Sequence, residues 1–237
     1  VRVAKHGNRA ASSACGSADV LEALGVRIDL PPRGVATCIS DVGIGFCFAP
    51  VFHPAMRHAA SPRRELGVGT VFNFLGPLTN PAGATRQALG VADPSMVEIM
   101  VEALRGLGSE HVVAFHGDKG VDELTTSGPS QIVELAGGAV RRWTLDPADL
   151  GLAPAGLDAV AGGSAAANAA SIRDVLAGKP GPQRDIVLLN AAAGLVAAGP
   201  AADISKGLDL AGQAVDSGAA ATALDRLVEV STSWSEP

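Results

Sequence analysis

The sequence predicts an α/β protein: a large, mostly parallel sheet flanked by helices, with part of a small helical domain. Three observations carry that expectation. Short apolar runs of buried-strand length occur at Ile44-Gly45-Phe46-Cys47-Phe48 and His111-Val112-Val113-Ala114-Phe115. Segments with helical spacing alternate with such runs, which is the rhythm of strands joined by crossover helices. The hydrophobic share, 47% of 237 residues, suffices for a sizeable core in one domain or one and a half.

The elements follow in order. Val1-Arg2-Val3-Ala4 alternates like a strand and runs into the loop signal Lys5-His6-Gly7-Asn8. Ser17 reads as an N-cap for a short helix over Ala18–Leu24, closed by Gly25. Val26–Leu30 alternates as a strand and is stopped by Pro31-Pro32; a helix near Val35–Val42 then leads to the apolar strand ending at Phe48. His53 to Leu75 mixes helical spacing with the polar cluster Ser61-Pro62-Arg63-Arg64-Glu65, and Pro77, Asn80 and Pro81 form a loop. Ala88–Val91 is a strand, Met96–Leu107 a helix and His111–Phe115 a strand. Ile132–Leu135 and Val140–Trp143, joined through Gly137-Gly138, form a hairpin, and from Ser164 the chain is Ala-rich and helical. Parallel sheets hold ligands at the carboxyl ends of strands, which directs attention to the loops after Ala4, Phe48 and Phe115.

Composition excludes several classes. Hydrophobicity this high, with 18% charged residues and a mean hydropathy of +0.27, excludes disorder. Eighteen Lys and Arg against 24 Asp and Glu give a net charge of −6, which argues against a nucleic-acid binder. Aromatics at 3%, with no Tyr, leave little for base stacking. Cys15, Cys38 and Cys47 contain no C-x-x-C pair and fit buried thiols in a reducing, cytoplasmic setting. The longest apolar stretch, Ile186–Ala202, is mostly Ala and Gly, too weak to cross a membrane. The chain opens on Val1, without Met, within an expected strand, and is expected to be a fragment.

Three places could carry chemistry. Lys5-His6-Gly7-Asn8-Arg9 gathers cations, an imidazole and an amide after a strand; Ser12, Ser13 and Ser17 add hydroxyls near a helix start, where anions are favoured. The plain alternative is a solvated polar turn. Asp122 and Glu123 follow a buried strand and offer hard oxygen ligands of the kind Mg²⁺ takes together with phosphates and water; a merely solvated carboxylate pair is the alternative. Arg63 could fork onto a carboxylate ligand or simply pair with Glu65. His53, His58, His111 and His116 lack zinc-protease spacing and read as structural or supporting residues. No G-x-S-x-G elbow and no complete Walker loop occurs.

Taken together, these segments resemble the anthranilate phosphoribosyltransferase family. The resemblance rests on Lys5-His6-Gly7-Asn8-Arg9-Ala10 with Ser12-Ser13 and Gly16–Gly25, then Phe48-Ala49-Pro50, His53-Pro54-Ala55 and Arg63-Arg64-Glu65-Leu66-Gly67. It continues through Thr70-Val71-Phe72-Asn73, Leu75-Gly76-Pro77-Leu78-Thr79-Asn80-Pro81, His116-Gly117, Asp122-Glu123-Leu124-Thr125 and Leu189-Asn190-Ala191-Ala192. These motifs stand in order along nearly the whole chain. The sequence departs from the family in lacking its upstream Gly-Thr-Gly-Gly-Asp loop and most of its N-terminal helical domain, and in having Gly69 where relatives often carry Arg.

The resemblance implies transfer of the phosphoribosyl group of phosphoribosyl pyrophosphate (PRPP) to the amine of anthranilate, with Mg²⁺, in tryptophan biosynthesis. It implies a nucleoside-phosphorylase-like fold and a homodimer, with no nucleic-acid or membrane partner. It places Lys5 and Ser17 on PRPP; His6, Asn8, Arg63, Gly76 and Pro77 at anthranilate; and Asp122 and Glu123 on Mg²⁺. It assigns no acid, base or nucleophile. The expected division is 1–50 as the first part of the α/β domain, 51–82 as helices of the small domain and anthranilate site, and 83–237 as the α/β remainder. Three alternatives stay open: a pyrimidine-nucleoside phosphorylase-like enzyme, a nucleic-acid-binding paralogue, and an inactive truncated remnant with its anthranilate side better preserved than its PRPP side.

Overall fold

The computed structural model describes residues 1–10, 14–68 and 70–236, with the backbone alone for residues 60–64. Its strands are β1 (Val3–Gly7), β2 (Ile44–Phe48), β3 (Arg86–Gly90), β4 (His111–His116), β5 (Ser130–Ala136) and β6 (Ala139–Leu145). Its helices begin with α1 (Ser17–Ala23), α2 (Pro32–Asp41), α3 (Ala49–Phe52), α4 (Arg57–Leu66) and α5 (Phe72–Leu78). They continue with α6 (Pro94–Gly106), α7 (Ala165–Leu176), α8 (Pro182–Ala198), α9 (Ile204–Asp216) and α10 (Ala219–Ser233). Among the described residues no helix is long and apolar enough to cross a membrane.

Two compact units form. One gathers Arg2–Gly83, Gly162–Arg173 and Ala220–Pro237; the other gathers Ala84–Ala161 and Asp174–Ala219 with Val1. In the first, β1 and β2 pair in parallel, Lys5 opposite Phe46 and Gly7 opposite Phe48. Its core joins Val26, Leu30, Val35, Cys38 and Cys47 to Leu227, with Leu224, Val228 and Trp234 of the C-terminal segment against them. The two buried thiols are free, and burial pushes both above the ordinary thiol value.

In the second unit β3 runs parallel to β4, while β4–β5 and β5–β6 are antiparallel. Val113, Phe115, Leu124 and Ile132 pack with Leu189, Ala192, Ala193 and Val196 of α8. The small side chains of α8 let the helix lie close to the sheet, which explains the Ala-rich composition of this part.

The α/β class with flanking helices holds; among the described residues the strands form a parallel pair, β1–β2, and a separate four-stranded sheet with one parallel and two antiparallel pairings, where the sequence predicts one large, mostly parallel sheet. Turn chemistry sets one of the antiparallel pairings, the expected hairpin. Gly137 and Gly138, both with positive φ, reverse the chain within two residues, which forces β6 antiparallel to β5. Val26–Leu30 corrects a second expectation. Val26, Ile28 and Leu30 are buried and Arg27 and Asp29 exposed, as in a strand, yet the segment joins no sheet. The Arg27 N–H donates instead to Ser231 Oγ on α10 at 3.1 Å. Periodicity fixed which side chains are buried but not what the backbone pairs with.

Candidate active site

Strand β1 reaches further than its alternation suggests. Lys5, His6 and Gly7 are its last residues, because their backbones pair with Phe46, Cys47 and Phe48. The side chains therefore stand on a rigid strand end instead of a loop. Asn80 Nδ2 donates to the Ala4 carbonyl at 3.1 Å, tying the chain after α5 to the same strand. Lys5 is exposed and forms no ion pair among the described residues.

Gly7 matters for what it leaves empty. A Cβ there would sit 2.4 Å from Ser17 Oγ and 2.9 Å from the Phe46 ring, so only glycine lets Ser17 approach the strand end. Ser17 is the first residue of α1 and not its cap, which corrects the sequence expectation; the cap is Gly16. Asp19 does the work expected of a capping side chain. Its carboxylate accepts the N–H groups of Gly16 at 2.9 Å and Ala10 at 3.0 Å. Those two bonds, with Arg9 beside them, hold the Asp19 carboxyl below its ordinary value. Arg9 forks onto Glu22, with Nη2 2.8 Å from Oε1, and lies over the Phe48 ring at 5.7 Å. Asn8 is fixed through its backbone, its carbonyl accepting the Ala18 N–H at 3.2 Å, while its Oδ1 takes the Arg9 N–H at 2.8 Å. Ser12 and Ser13 lie outside the described residues.

His6 has both ring nitrogens engaged. Nδ1 lies 3.1 Å from the Gly76 carbonyl oxygen, and Nε2 lies 3.1 Å from Nε2 of His53. Burial pushes the His6 imidazole below its ordinary value; the Gly76 carbonyl opposes that shift, while His53 and Lys5 add to it. Pro77 sits inside α5, and the helix stops one residue later. The Gly76 carbonyl consequently accepts from the Thr79 N–H at 3.2 Å and from His6, in place of a continuing helical turn. The structure thus brings His6, Asn8, Ser17, Gly76 and Pro77 around the end of β1. The Arg63 side chain lies outside the described residues; its backbone is in α4.

In the second unit, Asp122 and Glu123 are exposed neighbours on an irregular loop after β4. Close backbone approach fixes that loop. A Cβ on Gly90 would meet the Asp122 carbonyl oxygen at 1.7 Å, and one on Gly117 would meet that of Glu123 at 2.1 Å. From α8, Asn190 grips the next residue on both sides. Its Oδ1 accepts the Leu124 N–H at 2.9 Å, and its Nδ2 donates to the Leu124 carbonyl at 2.8 Å. Two exposed carboxylates on an immobilised backbone suit a hard cation that keeps water and phosphate among its ligands. Among the described residues no group of three or more His, Cys, Asp or Glu is arranged to hold a metal by itself.

Comparison with known proteins places this geometry. Residues 1–221 match the model of the glycosyl transferase family, a/b domain. The chain is 54% identical over 234 residues to the anthranilate phosphoribosyltransferase of Moorella thermoacetica, covering 99% of this chain and 69% of the relative. It belongs to the anthranilate phosphoribosyltransferase family. The crystal structure of the Thermus thermophilus member superposes with a TM-score of 0.91 at 48% identity, covering 98% of this chain and 69% of that one. The Saccharomyces cerevisiae member, solved in complex with PRPP and Mg, superposes at 0.89 with 26% identity, covering 99% of this chain and 66% of that one.

Sequence reasoning missed the contact of Asn190, and it read His53 as structural or supporting without identifying its partner. Asn190 had a signal, being the one polar side chain in the apolar run Ile186–Ala198 of α8. For His53 no local signal names the partner, which is 47 residues away.

Proposed function

We infer that this chain performs the reaction for which its family is named: transfer of the phosphoribosyl group of PRPP to the amine of anthranilate, giving N-(5-phosphoribosyl)anthranilate and pyrophosphate. One observation carries the reading beyond similarity. The residues around the end of β1 are held by the protein's own contacts, with Gly7 making room for Ser17 and Gly76 accepting from His6. That is the preorganisation a reaction driven by positioning and electrostatics needs.

Each residue then has a role. Lys5, exposed and without an ion-pair partner among the described residues, binds a phosphate of PRPP. Ser17 adds a hydroxyl to the pyrophosphate. His6, Asn8 and the Gly76-Pro77 turn border anthranilate, and Arg63 pairs with its carboxylate. Asp122 and Glu123 hold Mg²⁺, which when bound offsets the negative charge that grows on departing pyrophosphate. The aryl amine attacks an oxocarbenium-like carbon, so no residue need serve as a strong base.

The working form is a homodimer in the cytoplasm. Leu66 at the end of α4, and Val68 and Val71 between α4 and α5, each more than 60% exposed, supply an apolar surface for the partner subunit. Free buried thiols suit a reducing compartment. The test is anthranilate consumption, followed by its fluorescence, with PRPP and Mg²⁺ each present or withheld. Loss of signal only when both are present is expected. Phosphorolysis of a pyrimidine nucleoside, with anthranilate untouched, would overturn the reading in favour of the phosphorylase alternative.

A further inference from the structure

His53 lies between α3 and the turn at Pro54–Met56, where its N–H donates to the Ala49 carbonyl at 2.8 Å and its own carbonyl accepts the Met56 N–H at 3.0 Å. The backbone thus sets where the ring stands. That ring meets His6 edge-on, with centroids 4.9 Å apart and planes at 65°. The hydrogen-bond chain fixes the proton positions. A carbonyl oxygen only accepts, so His6 Nδ1 must donate to Gly76. A neutral His6 then has a bare Nε2, and the group facing it at 3.1 Å is Nε2 of His53, which must donate. A second proton on His6 would set N–H against N–H unless His53 first gave up its own.

We propose that His53 is a positioning residue for the transferase reaction: its Nε2–H, donated to Nε2 of His6, locks His6 as the neutral Nδ1–H tautomer with its ring fixed against Gly76. The proposal rests on the reading that His6 borders anthranilate. With both nitrogens spent on the protein, His6 presents an uncharged, immobile ring to the substrate, and His53 is what keeps it uncharged and still. Removing the donor frees His6 Nε2 to rotate or to take a proton.

The experiment uses the active enzyme with ¹⁵N-labelled histidine, comparing wild type, His53→Gln and His53→Leu. In wild type the His6 ring is expected to show one protonated nitrogen, Nδ1, and one bare, hydrogen-bonded nitrogen, Nε2; an Nε2–H tautomer would overturn the proposal without any variant. Replacement by Leu is expected to lower kcat/KM for anthranilate roughly three- to tenfold, the cost of one hydrogen bond, with the PRPP KM unchanged. It also alters the His6 spectrum. Gln, which keeps an N–H donor, is expected to recover most of the loss. Equal behaviour of Gln and Leu, or a His6 spectrum indifferent to both, would overturn the assignment. Wild-type enzyme that consumes no anthranilate would instead defeat the functional reading, so the two failures are distinct.

Discussion

His6 shows how one residue couples the fold to pH. Its imidazole is pushed below the ordinary value, chiefly by burial, so the folded state prefers it neutral while the unfolded chain protonates it near 6.5. The stabilisation is therefore complete above about pH 6.5 and is lost as pH falls through the lowered folded value. Thermal melts between pH 8 and pH 5 are expected to fall less steeply for His6→Gln than for wild type; parallel curves would contradict this. Arg63 belongs to the same scale. Arg63→Ala is expected to raise the anthranilate KM about tenfold to a hundredfold, the loss of a charge-assisted contact worth roughly 1.5–3 kcal/mol, and to leave the PRPP KM nearly unchanged. An impaired PRPP KM with normal anthranilate KM would refute the pairing. At this scale the sequence shows residue types well and their partners poorly. Lys5, His6, Asn8, Asp122 and Glu123 announce themselves by chemistry within a few positions. The contacts that hold them come from His53, Gly76 and Asn190, far along the chain, and no local spacing reveals them.

Helix α8 acts on the carboxylate loop through a single side chain. Asn190 satisfies both backbone groups of Leu124, a fully buried residue, much as a neighbouring strand would. Asn190→Leu keeps the volume but leaves an amide and a carbonyl unpaired, an expected cost of about 1–3 kcal/mol in denaturant unfolding. Because Glu123 directly precedes Leu124, the same variant is expected to need more Mg²⁺ for half-maximal rate. Lost stability with an unchanged Mg²⁺ requirement would show that the clamp serves the core alone. Elements were legible where one signal dominates: β2 has the bounds its apolar run suggests, and the Gly137-Gly138 hairpin forms as expected. Ser17 misled because a hydroxyl before an apolar stretch resembles a cap, whereas Gly16 holds that position and Asp19 reaches back to it. Val26–Leu30 misled because alternation reports burial, and burial comes here from α10 near Val26 and Leu30 and from Ala18 and Phe46 near Ile28, around a segment that joins no sheet.

Across the whole molecule, the class was legible and the way the chain shares itself between units was not, since which distant segments pack together depends on shape complementarity and not on local pattern. Leu66, Val68 and Val71 carry the prediction at this scale. With the proposed homodimer, placing Glu at 66 and 71 is expected to give a monomer in light scattering at micromolar concentration; a dimer that persists would move the subunit contact elsewhere, and a monomeric wild type would refute the dimer itself. The placement of α10 has a separate consequence, one in time. Ribosomes make the segment Ala84–Ala219 before they make the helix that closes the core around Cys38 and Cys47. During synthesis, Leu30, Val35 and both cysteines must wait, uncovered, for Leu227 and Trp234. A nascent chain arrested at Ala219 is therefore expected to label rapidly at Cys38 and Cys47 with a thiol reagent that the finished protein excludes. Strands β1 and β2, made before Ala84–Ala219, would be sealed from water after it.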